Sequence, residues 1–149
     1  MFDRDILKDV IVDYKRDFTE FQWKNERYKW EAIQCFQRNW NINAVNFPDM
    51  LKRSLDKTYN LLASMSNYAK AMIIGFAEAA PEEVLGAFIA LYDESRDVVE
   101  RIQAFKAQAE EMLEKYGDGD RQHFQTENAI TVYLWLRYPD TYGIYMYGE

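Results

Sequence analysis

The residues best placed for a binding function are five bases on two adjacent predicted helices. They are Arg27 and Arg38 on one helix, and Lys52, Arg53 and Lys57 on the next. Adjoining basic side chains are able to contact the phosphates of a nucleic acid, while neighbouring aromatic rings offer surfaces for base stacking. These five residues are therefore the candidate nucleic-acid-binding set. Three lysines extend the set if the helices adjoin: Lys24, Lys29 and Lys70.

The distribution of charge along the chain supports this set only in part. Residues 81–120 hold eleven acids and four bases, whereas residues 23–80 hold eight bases and five acids, a local balance of +3. The 149-residue chain carries a net charge of −7, which opposes long-range attraction of DNA. Glu31 and Asp56 also interrupt the bases, so two ordinary mixed-charge helix exteriors are the alternative interpretation.

Catalytic and metal-binding chemistry is not predicted from the other reactive residues. The sequence has no phosphate-binding G-x-x-x-x-G-K-[ST] loop, and a single cysteine excludes a disulfide framework and a multi-cysteine zinc site. Cys35 lies between core positions and is expected to be a buried, inert thiol, and His123 is expected to be a surface or capping residue. The acids of 117–120 lack the spacing of an EF-hand calcium loop, so this segment is predicted to be a solvated turn. We therefore predict no catalytic residue, cofactor or metal.

Helical periodicity runs through most of the chain and predicts a mainly α fold. Apolar residues recur at helical spacing over 3–20, 26–40, 46–62, 67–79, 81–94, 95–116 and 126–138. Six Gly and three Pro suit helices joined by short connections. Residues 1–149 are thus expected to form one helical domain, a bundle of about six or seven helices. The tail over 142–147 is interpreted either as a short β segment or as an extended segment laid over the bundle.

The spacing of apolar residues also assigns individual side chains to the core. The predicted inward faces are Trp30, Ile33, Phe36 and Trp40; Leu51, Leu55, Tyr59 and Leu62; Val84, Leu85, Phe88 and Ile89; and Val98, Ile102, Phe105, Ala109, Met112 and Tyr116. Ser95 is predicted to cap the sixth helix, and Gln125 or Thr126 the seventh, which Pro139 must end. The apolar run 129–136 fits a buried helix or a buried strand, and its polar lead-in favours the helix.

Several stretches of the sequence resemble the N-terminal region of bacterial McrB-like AAA+ proteins. They are YKWEAIQCFQRNW (28–40), FPDMLKRSL (47–55), LLAS (61–64), HFQTENAITVYLWLRYP (123–139) and YGIYMYG (142–148). Members of this family are the nucleotide-hydrolysing subunits of modification-dependent restriction systems. The resemblance implies an N-terminal module that selects the target, often modified DNA. It also implies a downstream AAA+ core that hydrolyses GTP and a separate nuclease subunit. This sequence contains no AAA+ motif, so the motor is expected beyond residue 149, and no functional residue is transferred.

Two functions follow as expectations from the residues and the resemblance. The first is a target-recognition module of a cytoplasmic defence system, non-catalytic itself, which binds duplex DNA through the surface of 23–80. The second is a protein-interaction or scaffold module, which docks a partner or the AAA+ core through the acidic sixth helix or the aromatic tail. A membrane partner is not expected, because the longest apolar runs fall well short of the roughly 20 residues that span a bilayer.

Overall fold

Helix α1 (Glu20–Asn39) is the first element that the structure describes. The structure, a computed structural model, describes residues 20–64, 67–117, 119 and 122–142. The helix predicted over 3–20 and the tail predicted over 142–147 therefore lie outside the described residues, apart from residues 20 and 142 themselves.

In the described ranges, six helices of at least eight residues and one short helix make the fold mainly α, as predicted. After α1 come α2 (Phe47–Ser54), α3 (Tyr59–Leu62), α4 (Ala69–Ala79), α5 (Pro81–Leu91), α6 (Val98–Tyr116) and α7 (Glu127–Arg137). Between α3 and α4, the two-residue strands β1 (Ala63–Ser64) and β2 (Asn67–Tyr68) pair in antiparallel fashion. This pairing takes residues 67 and 68 out of the helix predicted over 67–79, so α4 begins at residue 69.

Side-chain caps and prolines fix the ends of two helices. Asn46 caps α2 by accepting a hydrogen bond, 3.2 Å long, from the backbone N–H three residues on, and Pro48 occupies the first turn. Thr126 caps α7 in the same way at 3.2 Å, which confirms one of the two predicted caps. Helix α7 ends at Arg137, because the residue before Pro139 is disfavoured in helical geometry.

The predicted cap of α6 is wrong, since Asp97 rather than Ser95 holds that position. The Asp97 carboxylate accepts a hydrogen bond from the Glu100 backbone N–H at 3.2 Å. Ser95 is already engaged, because its hydroxyl donates to the Asp93 carboxylate at 2.6 Å and thereby holds the pKa of Asp93 below its usual range. A carboxylate at the N-cap also interacts favourably with the helix dipole, so Asp97 is the stronger cap.

The helix predicted over 46–62 is interrupted at 55–58, which corrects the prediction. The buried Thr58 hydroxyl donates to the Leu55 carbonyl at 2.7 Å, and the Thr58 backbone N–H donates to the same carbonyl at 3.2 Å. Such local bonds from a threonine compete with the i→i−4 bonds of a helix, so the chain turns before it resumes as α3. The predicted inward leucines remain buried: Leu51, Leu55 and Leu62.

An aromatic cluster around Phe88 of α5 joins the helices into one core. Its ring centre lies 5.2–5.8 Å from those of Trp40, Tyr92, Phe105 and Tyr133. Such tilted and edge-to-face pairs each add about 0.5–1.5 kcal/mol beyond the burial of their area. The predicted seam of α6 is buried from residue 98 to residue 112, and the apolar run 129–136 is a helix buried on all sides. This full burial is the reason the run shows no periodicity in sequence.

One predicted core residue of α5, Ile89, is in fact 49% exposed. The buried residues of this helix are Val84, Ala87, Phe88 and Leu91, which lie at i, i+3, i+4 and i+7. Ile89 is five residues after Val84 and therefore lies about 140° away around the helix. The α5 helix thus turns an apolar side chain toward solvent.

Candidate nucleic-acid interface

Helix α1, which carries two of the candidate bases, is held between α2 and α7. On one side the Cys35 thiol donates to the Arg53 carbonyl oxygen at 3.2 Å. On the other side the Gln37 amide donates to the carbonyl oxygens of Leu136 and Arg137 at 2.6 and 3.0 Å. Cys35 and Gln37 lie about 200° apart around α1. The part of the helix surface between these two contacts faces outward. That face carries four exposed polar residues: Arg27, Glu31, Gln34 and Arg38.

Helices α1 and α2 run antiparallel, which brings the bases of α2 beside this face. The Asn41 backbone N–H lies 3.4 Å from the Met50 sulfur near the start of α2, while Cys35 contacts Arg53 near its end. Arg38 follows Cys35 by three residues and so lies within one helical turn of this contact. Arg38 and Arg53 therefore belong to one continuous surface, which we call the α1–α2 face.

The structure places the five predicted residues differently with respect to that face. Arg38, Lys52 and Arg53 are exposed, and none of the three has an ion-pair partner among the described residues. Lys52 precedes Arg53 directly and so diverges from it by about 100° around α2. Arg27 is exposed but forms an i,i+4 ion pair with Glu31 at 3.2 Å. The fifth residue, Lys57, is half-buried in the turn after α2.

Lys29 and Lys70, two of the three lysines predicted to extend the set, are less exposed than Arg38, Lys52 and Arg53. Lys29 is 4% exposed, so its ammonium group is not part of an outer surface. The prediction that Lys29 extends the basic set is therefore wrong. Lys70 is half-buried on α4, and the side chain of Lys24 lies outside the part of the chain whose side chains the structure describes. Arg137 was not among the predicted residues, and its guanidinium lies 4.6 Å from the ring centre of Tyr138 at the end of α7. Arg137 is close to α1 because its carbonyl oxygen accepts a hydrogen bond from Gln37, which is 100 positions earlier in the chain. Spacing along the chain does not reveal such a contact.

The thiol of Cys35 and the imidazole of His123 each make a hydrogen bond within the fold. Cys35 is half-buried rather than fully buried, and its thiol joins α1 to α2. His123 is half-buried, and its Nδ1 accepts a hydrogen bond from the Gln125 backbone N–H at 2.8 Å. Burial lowers the pKa of His123; on α6, Lys106 lowers it further and Glu110 opposes the change. The imidazole is therefore held in its neutral form as a hydrogen-bond acceptor.

Gln125 beside it belongs to a buried polar chain that sequence analysis did not identify. The Gln125 amide group donates to the Ala69 carbonyl at 2.9 Å, and its oxygen accepts the Tyr133 hydroxyl at 2.6 Å. The Tyr133 carbonyl in turn accepts the Tyr92 hydroxyl at 2.9 Å. Burial raises the pKa of both phenols, so they act here as neutral donors. These bonds tie the segment before α7 to α4, and α7 itself to Tyr92 at the end of α5.

A buried charge network anchors the last described residue to the α5–α6 connection. Arg101 is 2% exposed and donates to the Leu91 carbonyl at 2.7 Å, to Glu94 Oε2 at 2.9 Å and to the Tyr142 hydroxyl oxygen at 2.9 Å. Tyr142 donates to the same Glu94 oxygen at 2.7 Å. Burial acts to lower the pKa of Arg101, but the bonds to Tyr142 and Glu94 raise it overall, so the guanidinium stays charged. We call these three side chains the Arg101 network.

Other kinds of site are not found in the part of the chain that the structure describes. No group of three or more His, Cys, Asp or Glu side chains there is arranged to hold a metal ion. None of the described helices is both long enough and apolar enough to cross a membrane. Comparison of the chain with family models, with curated proteins and with solved structures finds no match in any of the three.

Proposed function

We propose that this chain is the target-recognition module of a McrB-like restriction NTPase and binds duplex DNA through the α1–α2 face. The observation that supports the proposal is the set of three exposed cations, Arg38, Lys52 and Arg53, which have no acidic partner among the described residues. The cations of α6 differ, since Arg101, Lys106 and Lys115 each face a carboxylate at 4.0 Å or less. Unpaired cations on adjacent helices are the feature that a phosphate backbone recognises.

The packing of α1 on α2 makes joint phosphate contact feasible. Axes of packed helices lie roughly 8–10 Å apart, and arginine side chains are long enough to reach one stretch of duplex backbone from both helices. Arg27 adds less, because its charge is offset by Glu31 at 3.2 Å. Two phosphates neutralised by Arg38 and Arg53 give a salt slope of about −1.8 in a plot of log K against log salt concentration. The predicted binding is thus weak and strongly salt-dependent, consistent with a chain of net charge −7.

Fluorescence anisotropy with a labelled short duplex, plain or containing 5-methylcytosine, tests the proposal. We expect the double variant Arg38→Glu/Arg53→Glu to weaken binding at least about tenfold at 50 mM salt. The matched control is Lys106→Glu/Lys115→Glu, which changes the net charge equally on α6, a helix that packs on α4, α5 and α7. Little change in the control supports a local surface. Equal losses in the two variants, or no binding to either duplex by the unaltered chain, contradict the proposal.

The remainder of the proposal concerns the protein to which this module belongs. The resemblance supports a cytoplasmic restriction system in which an AAA+ core follows this domain and a second subunit cuts DNA. The reading frame beyond residue 149 tests this directly. A G-x-x-x-x-G-K-[ST] sequence between a predicted strand and a predicted helix there supports the proposal. A stop codon at that point contradicts it.

A protein-interaction module is the second candidate function, and one feature of α6 favours it. Glu110, Glu111 and Glu114 are exposed and have no ion-pair partner among the described residues. An acidic helix surface of this kind is suited to a basic protein partner. Under this alternative the chain ignores DNA at low salt, and charge reversal of the three acids removes a co-purifying partner.

A further inference from the structure

An open apolar cleft lies between the segment 44–48, which includes the first two residues of α2, and the start of α5. Its volume is about 620 Å³. Five of its lining residues come from 44–48 and three come from α5: Pro81, Glu82 and Leu85. The lining is apolar except for Asn46, whose side chain already caps α2, and Glu82.

The rim of this cleft exposes apolar side chains that nothing in the described fold covers. Val45 is fully exposed, and Ile42 in the same loop is 50% exposed. On α5, Leu85 and the 49% exposed Ile89 follow Glu82 at i+3 and i+7, so the three residues form one stripe. Gly86 lies in this stripe, and a Cβ atom added there meets no atom within 4 Å, so the α5 backbone is open to close approach. Contiguous exposed apolar residues with a polar rim are typical of interaction sites.

The charges beside the stripe indicate the chemistry of the partner. Glu82 begins the stripe and has no ion-pair partner among the described residues. Asp93, two residues after the end of α5, is also exposed, but its carboxylate already accepts two hydrogen bonds from Ser95. Lys52, one turn beyond Pro48 on α2, does not line the cleft. An apolar surface with the acid Glu82 at one end is complementary to an apolar segment that carries a base near its end.

We propose that this cleft and the α5 stripe bind an amphipathic helix of a partner protein, with an apolar face and a lysine or arginine opposite Glu82. The helix lies along α5, its apolar residues contact Val45, Leu85 and Ile89, and its backbone approaches α5 at Gly86. Binding of a helix in an apolar groove uses anchors spaced at i, i+3, i+4 and i+7. This inference does not depend on DNA binding by the α1–α2 face.

Two labelled model peptides test the inference by fluorescence anisotropy with the full chain. One has leucines at i, i+3, i+4 and i+7 with lysines near both ends, and the other has glutamates in place of the lysines. We expect the lysine peptide to bind at least about tenfold more tightly than the glutamate peptide. Val45→Asp is expected to weaken binding of the lysine peptide at least about tenfold, and Glu82→Gln is expected to weaken it about threefold to fivefold.

Ala107→Asp is the matched control, because it places the same carboxylate at an exposed position of α6. Val45 is fully exposed, so its replacement leaves the urea midpoint unchanged and separates loss of binding from loss of folding. Equal weakening by Val45→Asp and Ala107→Asp overturns the proposal, as does equal binding of the two peptides. Sedimentation in which Val45→Asp converts a dimer to a monomer also overturns it, in favour of a second copy of this chain.

Discussion

Replacing Arg101 with methionine is expected to destabilise the protein strongly, although the residue touches no candidate binding surface. Methionine has a similar length and fills most of the same volume, so the main change is the loss of the buried guanidinium. The Leu91 carbonyl and the Tyr142 hydroxyl oxygen then lose the donors that lie 2.7 and 2.9 Å away, and the part-buried Arg96 carbonyl oxygen loses one at 3.0 Å. Glu94 loses its cation but is 38% exposed and is rehydrated.

The size of the effect follows mainly from the two buried acceptors and the carboxylate. Each buried acceptor left without its donor costs about 1–3 kcal/mol. The partly exposed carboxylate adds at most about 1 kcal/mol, as for surface ion pairs. The sum is about 4 kcal/mol, within the range of about 3–5 kcal/mol found when one partner of a buried ion pair is removed. A domain of this size has a free energy of unfolding of about 5–15 kcal/mol, so the variant is expected to be marginal.

Urea denaturation followed by tryptophan fluorescence measures this loss. Arg96→Met is the matched control, because it makes the same chemical change at an exposed side chain five residues earlier, and we expect about 0.5 kcal/mol or less. Tyr142→Phe is expected to cost about 1 kcal/mol in the unaltered chain and less in the Arg101→Met background, because the two residues share a hydrogen bond. Equal stability of Arg101→Met and Arg96→Met refutes the assignment of Arg101 as the centre of the network.

Further predictions concern a histidine and two glycines. Stability is expected to rise with pH through the range just below pH 6.5, because the folded pKa of His123 is lowered and the unfolded chain binds more protons. His123→Asn keeps an acceptor for the Gln125 N–H and is expected to reduce this pH dependence, which urea midpoints between pH 5 and pH 8 measure. Gly117→Ala is expected to cost at least about 1 kcal/mol in thermal unfolding, because a Cβ there lies 2.3 Å from the Leu113 carbonyl oxygen. Gly75→Ala, in an open position of α4, is expected to gain about 0.5–1 kcal/mol in the same assay, and a loss at this position contradicts the packing described.

The spacing of apolar residues predicted the helices that have one continuous apolar face. It failed where polar side chains form hydrogen bonds with backbone groups of the helix. The α6 seam was predictable because Val98, Phe105 and Met112 recur at heptad spacing and are all buried. The break at Thr58 and the cap at Asp97 depend on which side chain reaches a particular backbone group, and sequence spacing does not decide that. The error at Ile89 has a different origin, since the apolar spacing of α5 predicts a helix but does not determine how that helix is rotated about its axis against the core.

The candidate site was predictable in composition but not in arrangement. The bases of α1 and α2 were evident from the sequence, and the antiparallel packing that joins Arg38 to Arg53 needed the structure. Burial of Lys29, the nearness of Arg137 to α1 and the Arg101 network all depend on contacts between distant parts of the chain. A buried arginine is particularly hard to foresee, because two of its acceptors are backbone carbonyl oxygens, which carry no sequence signal.

The salt dependence of duplex binding is the most direct test of the proposal that the α1–α2 face contacts phosphates. The unaltered chain is measured between about 50 and 200 mM salt together with the single variants Arg38→Gln and Arg53→Gln. We predict a slope of about −1.8 for the unaltered chain and a slope shallower by about 0.9 for each variant, since one fewer counterion is released from the DNA when an arginine is neutralised. Slopes that do not change when either arginine is neutralised would contradict the account.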